Sequence, residues 1–368
     1  MQSHEVLFET LSGQYGEVGV ITLNRPDSLN ALNFNMCVAI DQQLRVWEQA
    51  PNIKAVVIRG AGERAFCAGG DVRQIYEAGP QGWERSREFF HHEYNLDRRI
   101  HHYPKPYIAL LDGITMGGGM GLSMHGSHRV ATEKLKLAMP ETGIGFFPDI
   151  GGSYFLTRCV GKMGWYLGLT GAVCNAADGQ YVGLINAVIA SHQLSELLAS
   201  LVAADWTQGA HQAATAVIAT YAAQSEGSSV AGLAAHRETI DRCFSQPTVE
   251  AILEQLAQQT DDWSQQTLKT LQQRSPTSLK VTLASLNRAA LMNFDEAIQQ
   301  EYRVAQHFLS NLDFYEGVRA AVIDKDRNPR WQPNNLSAVS AEQVEAYFQR
   351  EGRNELLCTN PVETRHLV

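Results

Sequence analysis

Two glycine-rich stretches and two carboxylates are the residues whose types and spacing could do chemistry together. The stretches are Ala68-Gly-Gly-Asp71 and Gly117-Gly-Gly-Met-Gly121. Glycine lets backbone N–H groups approach a ligand with no side chain in the way. Two such groups aimed at one point stabilise an oxygen on which negative charge develops. The plainer reading is that these glycines serve tight turns. It suits Gly69 and Gly70 about as well, but suits less a glycine run that opens a helix, where each glycine costs about 1 kcal/mol relative to alanine. The carboxylates are Glu141, in Met139-Pro-Glu-Thr-Gly143, and Asp149, in Phe146-Phe-Pro-Asp-Ile-Gly-Gly152. Proline, glycine and large apolar neighbours would desolvate both and raise their pKa toward the range useful to a general base. The alternatives are a helix cap for Asp149 and a surface contact for Glu141.

Both glycine stretches follow segments that read as buried strands. Ala55 to Ile58 and Tyr107 to Leu111 are apolar on both parities, as in a parallel sheet covered on two faces. Asp71 could cap a helix from Val72, and a second helix would run from Met120 to His125. Strand, glycine loop and helix thus occur twice, about 50 residues apart, which favours an α/β architecture. Val18 to Leu23, Lys136 to Met139 and Asn186 to Ile189 read as further strands. Met36, Ile40, Leu44 and Trp47 mark one face of a helix that ends before Pro51. From about Ser195 strand signals thin out. Ser275-Pro276 reads as an N-cap with proline at the first helical position, and Ile298, Tyr302, Ala305 and Leu309 form another stripe. Residues 1–194 would be the core carrying the site, and 195–368 a mostly helical region packed on it.

The 368 residues are 44% apolar and 19% charged, enough for a sizeable core and unlike a disordered chain. The net charge of −9, with no Lys/Arg cluster, argues against a nucleic-acid partner. No apolar run reaches the ~20 residues needed to span a bilayer. The six cysteines form no Cys-x-x-Cys pair and read as reduced core thiols. The start, Met1 to Glu5, has neither signal nor transit character, so the expected location is cytoplasmic. His125 and His128 have a spacing that could hold a metal, but no third ligand is near. Glu93 reads by default as a helical surface carboxylate. Dinucleotide, P-loop and Gly-x-Ser-x-Gly fingerprints do not fit.

At these residues the chain resembles the enoyl-CoA hydratase/isomerase (crotonase) superfamily. The resemblance runs in order through Thr22-Leu-Asn-Arg-Pro, Leu29-Asn-Ala-Leu, Ala65-Phe-Cys-Ala-Gly-Gly-Asp, Lys105-Pro-Tyr-Ile-Ala, Asp112-Gly-Ile-Thr-Met-Gly-Gly-Gly and Met139-Pro-Glu-Thr-Gly-Ile-Gly. It is closer still to the 3-hydroxyisobutyryl-CoA hydrolase branch through Gly113 to Ser123, Phe146 to Gly152, Ser275 to Lys280 and Asp313 to Asp326. The fold this implies is an α/β spiral of ββα units with a mostly helical C-terminal region. The implied activity is hydrolysis of a short branched β-hydroxyacyl-CoA. Coenzyme A would arrive as part of the substrate, with no metal or other cofactor.

The resemblance assigns an oxyanion hole to the N–H groups of Ala68 and Gly118, the catalytic glutamate to Glu141, its partner to Asp149 and a further substrate contact to Glu93. The loop through Gly69, Gly70 and Asp71 would line the CoA adenine pocket. Hydratases carry a second catalytic glutamate two residues after the glycine triplet, where this chain has Gly121. Hydration should therefore be weak or absent. An isomerase using Glu141 alone, a non-catalytic CoA-binding homologue and an RNA-binding relative are the competing expectations; the acidic balance disfavours the last. Relatives of this fold are often trimers or hexamers, so a homo-oligomer is one expectation. The long C-terminal region could instead cover the surface used for it.

Overall fold

The computed structural model describes residues 4–223, 231–350 and 355–356. Strands β1 (Val6–Gly13) and β2 (Gly16–Leu23) form a hairpin, followed by helix α1 (Phe34–Gln49). The chain then runs through β3 (Ile53–Gly60), β4 (Ala65–Cys67), α2 (Val72–Ala78) and α3 (Trp83–His101). A second pass gives β5 (Tyr107–Leu111), β6 (Ile114–Met116) and α4 (Gly118–Met124). A third gives β7 (His128–Ala131) and β8 (Lys136–Ala138), with a short β9 (Ala187–Val188) closing the edge. Each pass places one strand in a six-stranded sheet, ordered β1-β2-β3-β5-β7-β9, and the next in a three-stranded sheet, ordered β4-β6-β8. The first two passes end in a helix, which is the ββα unit expected.

The large sheet is buried on both faces. Val56 and Ile58 of β3 and Ala109 and Leu111 of β5 join the main core with α1 and α3. Ala55, Val57, Ile108 and Leu110 face the other way, onto Leu197, Leu201, Ala214 and Ile218. The first residues of the C-terminal region thus cover one face of the sheet. Met36, Ile40, Leu44 and Trp47 of α1 are all buried, each contributing about 1.5–3 kcal/mol relative to exposure. Asn33 caps that helix by accepting from the Met36 N–H at 3.0 Å, worth about 1 kcal/mol.

After β9 the described residues form helices and no further strand. Ser275 caps the helix Pro276–Ala289 by accepting from the Ser278 N–H, with proline at its first turn, as the sequence suggests. The stripe on the helix Phe294–Leu309 is buried. Among the described residues no helix is long and apolar enough to cross a membrane. Cys37, Cys67, Cys159, Cys174 and Cys243 are free and buried; Cys358 lies outside the described residues.

Candidate active site

The small sheet builds the site. Its three strands run parallel, with Ala65 opposite Ile114 and Thr115 opposite Leu137. Their C-terminal ends therefore emerge side by side, the usual place for a ligand in parallel sheets. β4 delivers Ala68 to Gly70, β6 delivers Gly117 and Gly118, and β8 delivers Glu141 at the start of a 3-10 turn, Glu141–Ile144. The glycine loops pack on one another. A Cβ on Gly69 would lie 3.2 Å from the Met116 carbonyl, and one on Gly118 3.2 Å from the Gly70 nitrogen. Gly117 adopts φ +47, and a Cβ on it would sit 3.0 Å from Glu141 Oε1.

One expected donor is corrected here. The Ala68 N–H donates to the Leu29 carbonyl at 3.0 Å, so it is spent on holding the loop. Among the described residues, the N–H groups of Gly70 and Gly118 have no backbone partner. These two adjacent donors, rather than those of Ala68 and Gly118, are free to receive an oxygen. Asp71 caps α2 by position only. Its carboxylate accepts from Arg25 at 3.1 Å and from Gln74 at 3.0 Å.

Glu141, Asp149, Glu93, Gly69, Gly70 and Gly118 line one cavity of ≈ 190 Å³, walled by Phe89, Phe90 and Phe146. This is below the ~300–1,000 Å³ that encloses a drug-sized ligand, so it suits a short acyl group. Phe314 and Val322, from the C-terminal region, complete the wall. A wider cleft of ≈ 600 Å³ adjoins it, sharing Ile75 and Phe89 and lined by Asp71, Asn33, Gln74 and Arg85 among others.

The carboxylates are all buried. Asp149 does not cap the following helix, whose N-cap is Gly151. Its Oδ2 accepts from the Tyr94 hydroxyl at 2.7 Å. Burial pushes its pKa up to about 7, against the lowering effect of Tyr94. Burial, then the charge of Asp149, raises the pKa of Glu141 well above the ordinary carboxylate range. Glu93 is raised by the same two causes in the same order. It is a buried residue of α3, not the surface carboxylate its pattern suggests. Among the described residues, Glu93 Oε1 and Glu141 Oε2 have no hydrogen-bond partner. His125 and His128 form no metal pair: Nε2 of His125 donates to the Ile150 carbonyl, and Nε2 of His128 meets Thr215 Oγ1.

The sequence reading missed Tyr94, Asp97 and Glu301. Asp97 lies one turn after Glu93, against Gly121, where a Cβ would come 2.7 Å from Asp97 Oδ1. A detectable signal was present: Glu93 and Asp97 fall on the apolar face of α3 with Phe89, Phe90 and Ile100, and Glu301 falls on that of Ile298 and Ala305.

Free N–H donors beside a largely apolar cavity with buried carboxylates suit an enzyme that stabilises charge on a carbonyl oxygen, which is the chemistry of the crotonase fold. A sequence profile described as enoyl-CoA hydratase/isomerase matches residues 18–348, and the chain belongs to that family. Within it the chain falls in the 3-hydroxyisobutyryl-CoA hydrolase branch. It is 45% identical to the mitochondrial 3-hydroxyisobutyryl-CoA hydrolase of Danio rerio, over 96% of this chain and 91% of that one. With the Homo sapiens protein of the same name it is 43% identical, over 95% and 90%. Among solved structures, a carnitinyl-CoA dehydratase from Mycobacterium thermoresistibile superposes with TM-score 0.88 at 37% identity, covering 96% of this chain and 99% of that one. An enoyl-CoA hydratase from Rhodobacter sphaeroides gives 0.86 at 34%, with the same coverage. The relatives' names correct the expected cytoplasmic location, since these hydrolases are mitochondrial. Neither free buried cysteines nor a net charge of −9 distinguishes one such compartment from another.

Proposed function

We propose that the chain hydrolyses 3-hydroxyisobutyryl-CoA to 3-hydroxyisobutyrate and free CoA, as a step of valine breakdown. The observation that carries the choice of hydrolysis over hydration is at Gly121. Hydratases resemble one another in placing a catalytic glutamate there, and here Asp97 occupies the space a side chain would need. Full-length relatives that are 3-hydroxyisobutyryl-CoA hydrolases support the same reading.

In this reading the thioester oxygen accepts from the N–H groups of Gly70 and Gly118, which form the oxyanion hole. Glu141 either takes a proton from the water that attacks the carbonyl, or attacks it directly to give an anhydride that water opens. On either route the C–S bond breaks, and the CoA sulfur leaves and gains a proton. Asp149 meets the β-hydroxyl, and the wider cleft beside Asp71 takes the remainder of the coenzyme.

The test is release of free CoA, read with a thiol reagent, from 3-hydroxyisobutyryl-CoA and from isobutyryl-CoA. Wild type is expected to favour the hydroxylated ester by at least about tenfold, because the analogue leaves a buried polar group unpaired. Asp149→Ala should shrink that preference. An unchanged preference in the variant removes Asp149 from hydroxyl recognition. No CoA release by wild type sinks the hydrolase reading; a shifted or hydrated double bond in an intact enoyl thioester would favour an isomerase or hydratase, as the solved relatives' names do.

The electrostatics make a separate prediction. Glu141 must be ionised to act, and the Asp149 charge is the second-largest cause of its raised pKa. Asp149→Asn removes that charge, so ionisation of Glu141 becomes easier. The acid limb of kcat/KM against pH is expected to move to lower pH in this variant. A limb at the wild-type pH or higher would contradict the coupling.

A further inference from the structure

Glu301 has no place in the chemistry above, yet it is fully buried on the helix Phe294–Leu309 and spends both oxygens on the turn that follows Asp149. Its Oε2 accepts from the Gly151 N–H at 2.6 Å, and its Oε1 from the Ser153 N–H at 2.8 Å and from the Ser153 hydroxyl. On the same turn, His125 donates Nε2–H to the Ile150 carbonyl at 2.7 Å. The Tyr94 hydroxyl, which holds Asp149 itself, belongs to a ring packed edge-on against Tyr302, the neighbour of Glu301, with centroids 5.7 Å apart.

The clamped backbone is strained. Ile150 has φ +55 and Gly151 φ +76. A β-branched residue in the left-handed region is an outlier that persists only where its surroundings over-determine it. Among the described residues the Glu301 oxygens are met by amide and hydroxyl donors rather than by a cation, and burial pushes its pKa up to about 8 against the lowering effect of those donors. A buried carboxylate is a costly way to hold a turn, and the turn it holds is the one that aims Asp149 into the cavity.

We infer that Glu301 is a positioning residue for the reaction: through Gly151 and Ser153 it fixes the strained turn so that Asp149 faces the acyl group beside Glu141. The C-terminal helical region is thereby part of the catalytic apparatus. The inference rests on the hydrolase reading and on the role given there to Asp149.

The test is a double-mutant cycle. Glu301→Gln is expected to lower kcat by about 10- to 100-fold with a smaller change in KM, the scale of a misplaced reacting group, and to shrink the preference for the hydroxylated ester. If Glu301 acts through Asp149, adding Glu301→Gln to Asp149→Ala costs nothing more. Losses that multiply overturn the inference, as does an Asp149→Ala variant as fast and selective as wild type. Glu301→Asp keeps the carboxyl group but is one methylene too short to reach both amides. It should show the same pattern and serves if the glutamine variant does not fold. Should wild type release no CoA, the hydrolase reading falls, and amide hydrogen exchange then decides the inference. Protection lost at residues 151–153 alone in Glu301→Gln upholds the clamp, and unchanged protection overturns it.

Discussion

Glu141→Gln is expected to lower kcat by about two to four orders of magnitude, the usual worth of a positioned proton acceptor, while leaving Tm unchanged or raised. The two halves of this result have one cause. Glu141 is buried, its Oε2 has no hydrogen-bond partner among the described residues, and the charges of Asp149 and Glu93 push against its own. A carboxylate there costs folding free energy, because its ionised form has lost water and gained little in return. Glutamine has the same shape and no charge, so the substitution relieves the crowding and removes the chemistry. The predicted loss corresponds to about 3–5 kcal/mol of transition-state stabilisation. KM should change far less, since Phe89, Phe90 and Phe146 still wall the acyl cavity. A residue kept for structure would give the reverse, a lowered Tm with little change in turnover. Near-wild-type turnover in the folded variant would refute the catalytic role under either of the routes open to Glu141.

Much of this site was legible because it hangs on strand ends. Ala55 to Ile58 and Tyr107 to Leu111 carry apolar residues on both parities, and each is buried on two faces as that pattern requires. What the pattern did not show were β4 and β6. Three residues are too few to display a period of two, so of the small sheet that aligns the glycine loops with Glu141 only β8 was read from the residues, and the paired ββα arrangement entered through the resemblance. β1 was missed for another reason: it is an edge strand whose residues are largely exposed or half-buried, so its composition carries no core signal.

The two corrections within the site have physical causes of the same kind. A glycine loop announces that some backbone N–H approaches a ligand, but not which one. That depends on Leu29, about 40 residues earlier, whose carbonyl occupies the Ala68 N–H and leaves Gly70 free. From its pattern alone Glu93 read as a surface residue, because carboxylates in helices usually face water, and only the resemblance assigned it to the site. Its neighbours Phe89, Phe90 and Ile100 at helical spacing marked the opposite, as Ile298 and Ala305 did for Glu301. A carboxylate on the apolar face of an amphipathic helix is either a folding liability or a functional group, and here three of them surround Asp149 and the glycine loops.

Gly118→Val is expected to reduce turnover by about a thousandfold or more, the upper end of what one oxyanion donor is worth, in a protein that still folds. Gly118 is the first residue of α4 and its φ is not in the left-handed region, so its backbone accepts an L-residue. The damage is to the space it faces. A Cβ there would lie 2.5 Å from Glu93 Oε1 and 3.2 Å from both the Gly70 nitrogen and Leu32 Cδ1. Valine adds two more carbons, which fill the point on which the Gly70 and Gly118 N–H groups converge and displace Glu93. Overpacking of this kind costs about 1–3 kcal/mol, a loss the fold can absorb. Gly119 is the control. A Cβ on it would overlap the Cys67 carbonyl oxygen, a backbone atom that cannot swing aside, so Gly119→Val should lower Tm sharply by pushing α4 off β4. The pair separates two meanings of the same glycine run: loss of catalysis with the fold kept at Gly118, loss of the fold at Gly119. Turnover by a Gly118→Val variant that melts normally would mean the loop is a turn and that the thioester oxygen is bound elsewhere.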